Sequence, residues 1–191
     1  MILEGLVTTT AADGSPHLAP MGPRVDPAMQ SFLLRPFPTS TTCQNLKRHG
    51  EGVLHVTDDV LLLARAAVGK VEPFPPFHRA DVVNGFVLDD ACRHFEFRVR
   101  SMDESEQRMR IVCDVVKSGT HREFFGFNRA MHAVLEAAIL ATRFAFLPAD
   151  EIEAEYRKLR TVVDKTAGPR EFEAMAFLEG EWANYRAGSA T

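Results

Sequence analysis

Over roughly the first 120 residues the apolar positions fall in short runs broken by turn chemistry, the pattern of strands. "LEGLVTTT" is rich in β-branched residues, and "AADGSP" supplies an Asp-Gly turn before "HLAPMG". "MQSFLLRPF" is a further apolar run, stopped by Pro36 and Pro38. "CRHFEFRVRS" and "QRMRIVCDVVK" flank the polar "MDESE"; Phe95, Phe97 and Val99 alternate with charged residues, and Met109, Ile111 and Cys113 do so less strictly. This predicts a hairpin with one buried face. Two helices interrupt the strands. "TSTTCQNLKRHG" opens on four hydroxyl residues able to cap and closes at Gly50. "DDVLLLARAAVG" has Asp58 or Asp59 as its cap, although its middle also reads as a strand. "EPFPPFHRAD", with three prolines in five positions, reads as loop, its phenylalanines packed over a site, over a partner or into the edge of the sheet.

Beyond residue 120 the period becomes helical. "FFGFNRAMHAVLEAAILATRFAF" is apolar nearly all round and predicts a buried helix, with Arg129, His132, Glu136 and Arg143 along one polar stripe hydrogen-bonded internally or across a dimer. "PADEIEAEYRKLRTVV" predicts an amphipathic helix burying Ile152, Tyr156, Leu159 and Val163. "PREFEAMAFLEGEWANYR" repeats the form with Phe172, Met175 and Trp182, and Pro169 is placed to start it. The expected architecture is α+β, mainly β: a β-domain over residues 1–120 and a helical subdomain over 121–191.

Composition narrows the chemistry. A net charge of −4 gives no reason to expect nucleic acid or an anionic membrane as partner. No apolar run reaches the ~18–20 residues of a spanning helix, and "MILEGLVTTT" lacks the basic flank of an export signal, so a cytoplasmic location is expected. Cys43, Cys92 and Cys113 form no disulfide framework. No GxSxG, HExxH, Walker or Rossmann pattern is present. The nearest approach to metal spacing is His121 with His132, and no metal is expected. What remains is an anion site: "RPFPTSTTCQN" sets Arg35 beside Thr39, Ser40, Thr41 and Thr42 at a helix N-terminus, where free N–H groups, the helix dipole and hydroxyls would bind a phosphate. Pure capping explains the same hydroxyls.

"HLAPMG" followed by "TTCQNLKRHGEGVLHV" resembles the flavin reductase-like, FMN-binding split-barrel superfamily, in which an N-x-A-P-like strand precedes a D-T-x-x-N-I helix start and a G-E-F-V-V-N strand. Ala19 and Pro20 match; His17 stands where Asn is frequent and Gly22 where Ser is. Thr42, Asn45 and Leu46 match the helix start, while Thr41 replaces its Asp. More closely, the whole chain resembles the DUF447 family of this superfamily, through "DGSPHLAPMG" and "FNRAMHAVLEAAILATR".

The resemblance implies a split β-barrel of the FMN-binding type with a C-terminal helical subdomain, working as a homodimer with FMN at the interface. His17, Ala19, Pro20, Met21 and Gly22 would border the flavin ring on a strand that leaves its ladder; an edge strand with a β-bulge is the ligand-free alternative. Arg35, Thr39, Ser40, Thr41 and Thr42 would hold the phosphate, with Asn45 nearby. The implied function is FMN binding, as a flavin-dependent oxidoreductase acting on a small-molecule substrate that the sequence does not specify; the alternative, which the substitutions at Thr41 and Gly22 keep open, is a non-catalytic flavin carrier or sensor, or a dimeric scaffold that has lost the cofactor. His17 is the one candidate proton donor, beside its reading as a structural histidine.

Overall fold

The computed structural model describes residues 1–189. Nine strands and five helices follow one another as β1 (Gly5–Thr10), β2 (Pro16–Met21), β3 (Arg24–Val25), β4 (Ser31–Leu34), α1 (Thr41–His49), β5 (Glu51–Val56), α2 (Val60–Ala67), β6 (Phe77–Arg79), β7 (Phe86–Leu88), β8 (Arg93–Asp103), β9 (Arg110–Thr120), α3 (Arg129–Ala141), α4 (Ala149–Thr166) and α5 (Pro169–Ser189). They group into two compact units: residues 1–57 with 71–124, and residues 58–70 with the chain from Phe125 onward. Helix α2 therefore belongs with α3, α4 and α5 although strands flank it in sequence.

In the first unit, seven strands form one antiparallel sheet in the order β2-β1-β5-β8-β9-β4-β3. The sheet curls until its far edge meets the start of the chain. Ile2 bridges Arg24 of β3, Leu3 N–H bonds Pro23 O at 3.0 Å, and Val25 N–H bonds Met1 O at 3.0 Å. Those residues run directly into β1, so the N-terminal segment acts as the closing stave of a half-barrel. Its interior is filled from alternate strand positions by Val7, Phe32, Leu34, Leu54, Phe95, Phe97 and Ile111, with Phe32 and Phe97 meeting edge to face at 5.1 Å. Cys43 and Leu46 of α1 enter the same core, so this helix is held onto the barrel by its own apolar face.

The hairpin of β8 and β9 is present, but its outer face is not uniformly solvated. Glu96 is fully buried and accepts the backbone N–H groups of Asp81, Val82 and Val83 at 3.1, 2.7 and 3.0 Å. The proline-rich segment ends not in loop but in β6, which pairs with β7. Phe77 stands between Phe74 and Phe86 at 5.6 and 5.2 Å, and Thr8 Oγ1 of the main sheet donates to Phe86 O at 2.5 Å. These contacts hold a two-stranded ribbon that three prolines would not nucleate alone.

In the second unit, Asp59 caps α2 by accepting Leu62 N–H at 3.0 Å, which settles the helical reading of that segment. Helix α3 is not buried all round. Its inner face consists of Ala130, Ala133, Val134, Ala137, Ala138 and Ala141, small side chains that let Tyr156 of α4 donate to Ala137 O at 3.1 Å. Arg129, His132 and Glu136 are exposed on this chain, and Arg143 lies past the helix end, so the polar stripe is not an internal network. Ile152, Tyr156 and Val163 of α4 are buried, with Leu159 half-buried. In α5, Met175 is buried as expected and Trp182 half-buried, but Phe172 is exposed; the other buried positions there are Glu171, Ala174 and Leu178. Among the described residues no helix is long and apolar enough to cross a membrane.

Candidate functional site

Strand β2 pairs with β1 without a break, from Gly5↔Met21 to Thr10↔Pro16. It neither leaves its ladder nor carries a bulge. It forms one edge of the sheet, where a proline's missing N–H is tolerated and the outer row of backbone groups stays open to a ligand. Alternation sets His17, Ala19 and Met21 on one face. Met21 packs against the barrel core, Ala19 stands half-buried opposite Val7, and His17 Nε2 lies 3.3 Å from Thr42 Oγ1. Burial lowers the His17 pKa, so the ring is neutral at pH 7. As a neutral imidazole it positions the Thr42 hydroxyl at the start of α1.

The hydroxyl run has divided roles. Ser40 Oγ accepts Cys43 N–H at 3.2 Å and donates to Phe37 O at 2.8 Å, the arrangement of an N-cap. Thr39 and Thr41 are exposed. Asn45 is buried and clamps α1 to the sheet: its Nδ2 donates to Thr9 Oγ1 at 3.0 Å and its Oδ1 accepts from Arg48 at 3.1 Å. The helix ends on Gly50 at φ 68°, where a left-handed residue closes the last turn.

Pro20, Met21 and Gly22 line, together with Arg35, a cavity of about 290 Å³. The structure thus brings the Ala-Pro strand and the predicted phosphate arginine onto one site, while Thr39 to Thr42 lie outside that lining. Arg35 Nη2 pairs with Glu106 at 2.6 Å, but its Nε–H is buried without a partner. Two further arginines, Arg24 and Arg108, line the same cavity. Arg108 stacks on the Phe37 ring at 4.0 Å and donates to Arg35 O at 3.3 Å. Sequence reasoning passed over both; the signal was Arg24 two places after Gly22, and Arg108 beside Met109 where the turn re-enters the sheet.

The histidines single out no metal centre. His121 Nε2 meets His94 Nδ1 at 2.7 Å, and His132 lies along the Phe127 ring. Among the described residues no group of three or more His, Cys, Asp or Glu side chains is arranged to hold a metal ion.

Solved structures share this architecture. An FMN-bound DUF447 protein from Methanosarcina mazei superposes with a TM-score of 0.82 at 23% identity, over 94% of this chain and 94% of that one. Flavoredoxin from Methanosarcina acetivorans gives a TM-score of 0.54 at 10% identity, over 62% of this chain and 68% of its own. The styrene monooxygenase flavin reductase of Pseudomonas putida S12 gives 0.52 at 14% identity, over 62% and 79%. The fold is accordingly the split β-barrel with a C-terminal helical region. In sequence, residues 3–122 match the N-terminal domain of the protein of unknown function DUF447, and residues 128–180 match the second DUF447 domain. With both domains matched along most of its length, the chain belongs to the DUF447 family.

Proposed function

We propose that the protein binds FMN along the open edge of β2 and works as a flavin-dependent oxidoreductase, as a homodimer with the cofactor between its chains. The observation that carries this reading is the shared cavity: Pro20 to Gly22 and Arg35 line one space, and the Arg35 Nε–H is a buried donor in want of an acceptor. The FMN-bound relative from Methanosarcina mazei supports the choice of cofactor. A volume of about 290 Å³ is at the lower end of the ~300–1,000 Å³ of small-molecule pockets, in keeping with a half-site completed by a second copy. The phenylalanines Phe125 and Phe127, 82% and 98% exposed, are also in keeping with a second chain covering them.

Within that site the chain's own groups bind and orient. Arg35 supplies charge, and Thr41 and Thr42 add hydroxyls beside the N–H groups of the first turn of α1, for the phosphate. His17 holds Thr42 in place. The Pro20–Gly22 backbone forms the wall against which a planar ring lies. When bound, the flavin supplies the hydride-accepting and hydride-donating centre, so no side-chain acid or base is needed.

The test is a titration of the purified, flavin-free protein with FMN, FAD and riboflavin, followed by flavin fluorescence, with sedimentation before and after loading. FMN should bind at least tenfold more tightly than riboflavin, a Thr41→Ala/Thr42→Ala variant should lose most of that preference, and the loaded protein should sediment as a dimer. Equal or absent binding of the three flavins overturns the reading and favours a scaffold without cofactor.

A further inference from the structure

We propose that Glu106 is an internal competitor for the cofactor's phosphate: its carboxylate holds Arg35 until an anion displaces it onto Arg110, and it thereby sets how tightly FMN is bound. The inference rests on the reading that Arg35 takes the phosphate of FMN. Glu106 Oε2 accepts from Arg35 Nη2 at 2.6 Å, and its other oxygen, Oε1, lies 3.5 Å from Arg110 Nη1. One carboxylate thus stands between two guanidinium groups, gripping the first and only reaching the second. Nε and Nη2 form one edge of a guanidinium, an edge that takes a phosphate or carboxylate through two parallel bonds. On Arg35 that edge is half used: Nη2 carries Glu106, while Nε–H is buried without a partner. A phosphate that satisfies Nε–H by this fork meets Glu106 at Nη2, and two anions then compete for one cation.

The surroundings reduce the exchange to the movement of one side chain. The β8–β9 turn that carries Glu106 is fixed on both sides of it. Before it, Glu104 pairs with Lys47 of α1 at 2.7 Å. After it, Arg108 stacks on Phe37 at 4.0 Å and donates to Arg35 O at 3.3 Å, and Met109, fully buried, bonds through its N–H to Pro36 O at 3.0 Å. The Glu106 side chain is itself 45% exposed, so it turns without repacking the core. Arg110, whose cross-strand neighbour is Asp103, lies four residues on and already within reach, so the displaced carboxylate keeps a cation.

The size of the effect follows from that exposure. Competition from so accessible an ion pair lowers affinity by roughly fivefold at most. Riboflavin has no phosphate to displace Glu106 and is indifferent to it. Glu106 therefore narrows the preference for FMN over riboflavin, and keeps the cofactor more exchangeable than Arg35 alone would.

The experiment titrates the flavin-free protein with FMN and riboflavin by flavin fluorescence, and with inorganic phosphate by calorimetry. It compares the unaltered chain with Glu106→Gln, Arg110→Gln and the double variant. Both side chains are partly exposed, so the variants should fold, as thermal melting would verify. Glu106→Gln should bind FMN and phosphate at least threefold more tightly, with riboflavin affinity within twofold. Arg110→Gln should weaken FMN at least twofold, because the displaced carboxylate loses its destination, and should change nothing once Glu106 is gone. Unchanged FMN affinity in Glu106→Gln overturns the proposal. So does weaker binding, which would mean that Glu106 holds Arg35 in place for the phosphate. An equal loss from Arg110→Gln in both backgrounds also overturns it, since Arg110 would then attract the phosphate directly. If the unaltered protein takes up no flavin, the cofactor reading falls. The phosphate titration still decides the competition: tighter binding in Glu106→Gln upholds it, and unchanged, weaker or absent binding in that variant overturns it.

Discussion

His55 should make the fold acid-sensitive. Its ring is fully buried, with Nδ1 3.3 Å from Leu6 O and Nε2 accepting Leu88 N–H at 3.1 Å, so it joins β1 to β7 only as the neutral Nδ1–H tautomer. Burial, helped by the neighbouring His94, His121 and His78, pushes its pKa down from 6.5 to about 3. Above pH 6.5 folded and unfolded chains both carry a neutral ring, and the group contributes nothing to pH dependence. Below it the unfolded chain takes up a proton that the folded one refuses, so stability falls as pH falls. The slope is about 1.4 kcal/mol per pH unit, which gives about 2 kcal/mol lost by pH 5. Urea unfolding at pH 7.5 and pH 5 of the unaltered protein and of His55→Gln measures it, since the amide does not titrate. The buried-side shifts of His17 and His94 act in the same direction and cancel in the comparison. The unaltered protein should lose about 2 kcal/mol more than the variant between the two pH values. A difference under about 0.5 kcal/mol would refute the reasoning, because it would mean that His55 accepts a proton in place.

Two further substitutions separate scaffold from site. Ser40→Ala removes the cap of α1 and should cost about 1 kcal/mol in urea unfolding while FMN affinity stays within twofold, since that hydroxyl is already engaged with Cys43 N–H and Phe37 O; a tenfold loss of FMN affinity would place Ser40 among the phosphate ligands instead. Glu96→Gln sets an amide N–H₂ among three backbone donors and should cost about 2–4 kcal/mol, read from the same denaturation experiment; a cost below about 0.5 kcal/mol would mean that the 81–83 loop does not depend on the carboxylate.

The main strands and the helix starts were legible because each carries its signal locally. Phe95, Phe97 and Ile111 alternate, Ser40 caps one residue before α1, and Gly50 and Pro169 mark a helix end and a helix start. The β6–β7 ribbon was not legible, because prolines precede it and its support comes from Thr8 and His55, more than thirty residues away in the chain. Helix α3 misled for another reason. Its long apolar residues Met131, Leu135, Ile139 and Leu140 are only half-buried, and the buried face is built of alanines whose small size, not their hydrophobicity, is what the packing uses. Of the candidate site, the Ala-Pro strand and Arg35 could be read from a motif. Arg24 and Arg108 could not, because only the closure of the barrel brings the start of β3 to the far end of the β8–β9 turn.

The placement of α2 has a consequence for how the chain can be cut. The helical unit is sewn from two stretches, 58–70 and the chain from 125 onward, with the polypeptide returning to the barrel in between. A fragment ending at residue 124 would carry Val60, Leu61, Leu63 and Ala64 into water, stripped of the helices that cover them. A fragment beginning at 125 would lack one of the four walls of its own interior. Neither half is a portable module, so α2 and the C-terminal helices can be gained, lost or redesigned only together.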